Sequence, residues 1–90
     1  MIYLPDGIGL YTYLNKEEYQ GYFQNGNKEG YGTFLYSNGD IFEGKWKNNK
    51  KNGKGVMFYK SEQEEKGKWK DDELQLSFFT KLANLFETKK

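Results

Sequence analysis

Residues 19–32 read Tyr-Gln-Gly-Tyr-Phe-Gln-Asn-Gly-Asn-Lys-Glu-Gly-Tyr-Gly, and this stretch decides the fold because it repeats. Gly21, Gly44 and Gly67 are spaced 23 residues apart, as are Phe23, Trp46 and Trp69. The same interval relates Gly7, Gly30 and Gly53, then Gly9, Gly32 and Gly55, then Tyr13, Tyr36 and Tyr59. One window therefore tiles 7–29, 30–52 and 53–75 without insertion. Self-similarity at a period of this size marks a repeat array, in which each unit buries its apolar face against its neighbours.

Within each window the short aromatic segments 8–13, 31–36 and 54–59 alternate with segments 18–24, 41–47 and 64–70. In the latter, apolar or small residues alternate with polar ones, the period of a half-buried strand. Turn formers lie between them: Asn25-Gly26-Asn27, Ser37-Asn38-Gly39-Asp40 and Asn48-Asn49. The pattern predicts six strands joined by short turns, an elongated antiparallel meander. In each Gly-x-Gly the missing Cβ allows either a left-handed backbone or a close approach by a neighbouring group. Gly21, Gly44 and Gly67 lie between same-face pairs Tyr19/Phe23, Phe42/Trp46 and Glu65/Trp69, leaving slots for rings.

After Trp69 the period changes. Leu74, Phe78, Leu82 and Leu85, with Phe79 and Phe86, predict an amphipathic helix over about 72–88, capped by Asp71 or Asp72. The expected organisation is a lead-in at 1–6, an array at 7–70 and a C-terminal helix at 71–90 that covers the last hairpin.

Composition narrows the chemistry. The 90 residues contain no His and no Cys, which removes the usual bases, nucleophiles and soft metal ligands. Ser37, Ser61 and Ser77 have no base nearby in sequence, and the carboxylates at 62–65 and 71–73 read as solvated charge runs. No catalytic residue, cofactor or metal is expected. Fourteen basic residues, all Lys, balance 13 acids to a net charge of +1. Without a basic field or the bidentate grip of Arg, nucleic acid is not an expected partner. MIYLPDG lacks the form of a signal peptide, so the cytoplasm is the expected compartment.

The spacing Tyr19-x-Gly21-x-Phe23-x-x-Gly26-x-x-x-Gly30-x-Gly32 resembles a MORN repeat (membrane occupation and recognition nexus). Phe42-x-Gly44-x-Trp46 with Gly53-x-Gly55 is similar to a second, Lys66-Gly67-Lys68-Trp69 to the opening of a third, and Gly7-x-Gly9 to the close of a preceding one. Asn49 and Asp72 stand where the first unit has Gly26, and Glu65 where it has the leading aromatic. The resemblance implies an elongated run of hairpins, often ended by a helix. It also implies a scaffold that binds protein segments along an aromatic-lined groove, in some members with self-association.

The function expected is thus a non-catalytic interaction scaffold taking a partner helix or peptide on a groove of Tyr19, Phe23, Phe42, Trp46 and Trp69. The alternative is an anionic-phospholipid surface contacted by Lys45, Lys47, Lys50, Lys51 and Lys54, with Lys45 and Lys47 opposite Trp46 and the others in a loop. Homodimerisation through the strand edge at 8–13 or through the helix is a further expectation, as is a cytoskeletal or membrane association.

Overall fold

The structure, a computed structural model, describes residues 6–76. They form one sheet of seven antiparallel strands in sequence order. The strands are β1 (Gly7–Thr12), β2 (Glu18–Gln24), β3 (Asn27–Leu35), β4 (Ile41–Lys47), β5 (Lys50–Phe58), β6 (Glu64–Lys70) and β7 (Glu73–Gln75). Extents of 47 × 24 × 15 Å are those of a single twisted layer.

Two kinds of turn alternate along the array. Tyr13, Tyr36 and Tyr59 each open a wide turn, accepting an N–H bond from Lys16, Gly39 and Glu62 at 2.9, 3.0 and 2.8 Å. The tight turns are Asn25-Gly26, Asn48-Asn49 and Asp71-Asp72, all with positive φ. A two-residue hairpin turn with both φ positive matches the twist of its strands, and Asn and Asp tolerate that conformation. This explains how Asn49 and Asp72 occupy the Gly26 column without breaking the hairpin.

The same turn corrects the reading of the C-terminal segment. Asp71 and Asp72 do not cap a helix; they turn the chain into β7, which pairs with β6 as Trp69↔Leu74. There are seven strands rather than six, and among the described residues there is no helix. The remainder of the expected helix, from residue 77 onward, lies outside the described residues.

The two glycines of each Gly-x-Gly have different tasks. Gly30 and Gly53 have φ of 73° and 113°, beside the register shifts that follow Gly21 and Gly44. Gly32 and Gly55 lie beneath rings: a Cβ there would collide with Tyr19 and Phe42 respectively. Gly9, Gly21, Gly32, Gly44, Gly55 and Gly67 are successive cross-strand partners, a glycine row across six strands. The rings of Tyr19 and Phe42 fold back onto it and are fully buried.

Candidate functional site

Side chains alternate between the two faces except at the bulges beside Gly30 and Gly53, where a Cβ would lie against Tyr22 and Lys45 on the outer face. On β4, Phe42, Gly44 and Trp46 are buried while Glu43, Lys45 and Lys47 are exposed. Pairing carries this parity across the sheet, so one face holds the buried aromatic core, while the other is mixed, its charged residues interspersed with exposed Ile8, Tyr22, Tyr31 and Leu35. All five expected groove residues, Tyr19, Phe23, Phe42, Trp46 and Trp69, lie on the aromatic face and belong to its buried core. They pack edge to face: Tyr19 on Phe23 and Trp46 at 5.1 and 5.4 Å, Phe42 on Trp46 and Trp69 at 5.4 and 5.2 Å. The indole N–H groups of Trp46 and Trp69 donate to the carbonyls of Gly32 and Gly55 at 3.2 and 3.1 Å. The Tyr19 hydroxyl donates to the Tyr22 carbonyl at 2.9 Å. Every ring slot is thus filled from within the array.

What remains accessible on this face is a second tier. Tyr11, Tyr13, Tyr36, Tyr59 and Leu74 are half-buried against the core. Two lysines stand among them. Lys28 is the cross-strand partner of Phe23, and Lys51 that of Trp46. The Lys28 Nζ lies 5.2–5.8 Å from the ring centroids of Trp46, Phe34, Tyr19 and Tyr13. The Lys51 Nζ lies 4.9, 5.4 and 5.8 Å from Trp69, Phe42 and Tyr36. Each ammonium donates to a phenol, Tyr13 at 3.3 Å and Tyr36 at 3.4 Å.

The lysine backbones are pinned by the following tight turn. Asn49 Oδ1 accepts the Lys28 N–H and Asp72 Oδ1 the Lys51 N–H, both at 2.8 Å. A glycine in those turns could not supply this contact. Burial lowers the pKa of both lysines against the opposing pull of Asp72. Burial likewise raises the Tyr36 phenol to about 12. The Tyr59 phenol is also pushed up to about 12, first by its hydrogen bond to Glu65 at 2.7 Å.

The lysines expected to meet an anionic surface together are divided. Lys51 is on the aromatic face, whereas Lys45, Lys47, Lys50 and Lys54 are exposed, Lys45 lying over the single ring of Tyr31 at 6.0 Å on the opposite face. Lys50, Lys51 and Lys54 are strand residues of β5, not loop residues. Sequence reasoning passed over Lys28 entirely, although the interval of 23 residues relates it to Lys51. Among the described residues no group of three or more acidic side chains is placed to hold a metal ion.

Ring, glycine seat, ring and positive-φ turn recur at fixed register, and a family model for the MORN repeat matches residues 19–41 and 42–62. Residues 19–62 are MORN repeats. Both matched spans begin at a ring seated on glycine, Tyr19 and Phe42. MORN geometry extends past the second match, because Gly67, Trp69 and the Asp71-Asp72 turn repeat the pairing of the units before them. MORN repeats are in general protein- and membrane-interaction modules, and the repeat itself is non-enzymatic. A comparison with curated proteins finds no match.

Proposed function

We propose that the chain is a non-catalytic scaffold that docks a helix or peptide segment of another protein along its aromatic face. One observation carries this reading. The sheet is a single layer among the described residues, and the face that holds its core also presents Tyr13, Tyr36 and Tyr59 half-buried in a row, one unit apart. Partially buried tyrosines supply large, rigid contact area with a polar tip, the composition enriched where proteins bind. The contact tier is this row with its lysines, while the fully buried rings beneath hold it in place.

A photo-crosslinking residue placed at Tyr36, and separately at Tyr31 on the opposite face, tests the proposal in cells. Adducts with protein from position 36 and not from position 31 are the expected result. Adducts from position 31 alone would count against the aromatic face. Self-association belongs to the same proposal, through the outer edge of β1, which among the described residues pairs only with β2. Sedimentation at increasing concentration reads it: a rising mass is expected, and a monomer at every concentration would remove it.

A further inference from the structure

The two caged lysines specify what kind of segment fits the face, an inference that rests on the docking reading above. Each ammonium has given up part of its hydration, and its close contacts among the described residues are rings and one phenol, with Asp72 acting on both lysines and Glu65 on Lys51 only at longer range. Rings stabilise such a cation but do not neutralise it. A carboxylate brought against it in this drier setting gains more than it would beside a freely exposed lysine. Lys28 and Lys51 stand on β3 and β5, two strands apart, so their separation along the array is about 10 Å.

That spacing distinguishes between partner conformations. In a helix, seven residues advance about 10.5 Å and return to the same face. In an extended segment about three residues cover the distance, but residues three apart point to opposite sides. A helix lying across the strands can therefore address both lysines, and an extended peptide cannot.

The third unit reverses the charge. The interval that relates Lys28 to Lys51 arrives next at Leu74, and the ring position of Tyr19 and Phe42 is taken by Glu65. Glu65 is exposed and accepts the Tyr59 hydroxyl, where Tyr13 and Tyr36 instead accept from lysines. The face thus runs positive, positive, negative from β3 through β5 to β6.

We infer that the face takes an amphipathic helix carrying two carboxylates seven residues apart, followed one turn further on, towards β6, by a cation. The asymmetry of charge fixes the direction of the helix as well as its position. Recession of Lys28 and Lys51 between rings favours a side chain that reaches in over a broad lipid surface, which meets exposed lysines first.

Selection from a display library of helical peptides with randomised heptad positions, on the full chain, tests this. Selected peptides are expected to share an acidic pair seven residues apart with a basic residue about one turn beyond. Binding of such a peptide should fall about tenfold in Lys28→Met or Lys51→Met, which keep the apolar stem, and stay within about twofold in Lys47→Met. Circular dichroism confirms that each variant is folded. Peptides that lose binding in Tyr36→Ser yet lack the acidic pair would overturn the charge inference and leave the docking face intact. Peptides indifferent to Tyr36→Ser, or no enrichment at all, would overturn the docking face itself. Phosphatidylserine vesicles whose binding is abolished by Lys28→Met and Lys51→Met would overturn the inference in favour of a membrane.

Discussion

Replacing Gly32 by Ala places a methyl group inside the space of the Tyr19 ring, which is fully buried. The ring cannot yield cheaply. It abuts Phe23 at 5.1 Å and Trp46 at 5.4 Å, and its hydroxyl is tied to the Tyr22 carbonyl. Displacing it forfeits about 1 kcal/mol of hydrogen bond and about 0.5–1.5 kcal/mol for each ring pair, with overpacking strain of about 1–3 kcal/mol. These terms overlap, so Gly32→Ala is expected to cost about 3–5 kcal/mol, a large share of a small domain's stability. Urea titration followed by circular dichroism measures it. The cause is isolated by repeating the substitution in a Tyr19→Ala background, where the methyl enters vacated space and should cost less than about 1 kcal/mol. A cost of less than about 1 kcal/mol in the wild-type background, or an equal cost in both, would refute the seating of the ring on glycine.

Further outcomes follow from the same geometry. Trp46→Ala removes a buried indole and its bond to the Gly32 carbonyl, and should cost about 3–5 kcal/mol by urea titration. Loss of a partner in that variant would report unfolding, which is why Tyr36 and the lysines are the informative positions. Asn49→Gly keeps a residue tolerant of positive φ but removes the acceptor for the Lys28 N–H, and should cost about 1 kcal/mol in the same assay. Raised phenol pKa values favour the neutral form in the fold, so the contribution of Tyr36 and Tyr59 is fully present below pH 10 and is lost as pH climbs towards about 12. Alkaline titration of tyrosinate absorbance should show this late ionisation. Glu65→Gln removes the charged acceptor and should bring the Tyr59 transition down; no change would place the cause elsewhere.

Much of the fold was legible because the array repeats one physical solution. Columns of glycine and aromatic residues identify the strands, and Asn-rich pairs identify the turns. The extra strand escaped notice where composition shifted faster than geometry. Asp71-Asp72 stands in the Asn25-Gly26 column and turns the chain as that pair does, yet its acids next to a Leu- and Phe-rich run look like the start of a helix. Period alone showed a Gly-x-Gly that could serve backbone conformation or close packing. The structure assigns the first glycine to positive φ and the second to a ring seat, a division invisible without φ. The aromatic face could be inferred from alternation, but which rings remain accessible depends on how each is covered by the next unit. The two caged lysines were the least legible residues, Lys28 unremarked and Lys51 assigned to a loop. Reading Lys51 within a loop concealed its pairing opposite Trp46, which turns its side chain onto the aromatic face.

The aromatic face with its two caged lysines, rather than the exposed lysines elsewhere, is proposed to receive the partner. Lysine side-chain resonances followed by NMR during titration with a selected acidic helical peptide test it most directly. Lys28 and Lys51 begin close to ring faces and should be the lysines that shift on binding, with Lys45, Lys47 and Lys54 unmoved. Movement of Lys45, Lys47 and Lys54 while Lys28 and Lys51 remain in place would contradict the claim.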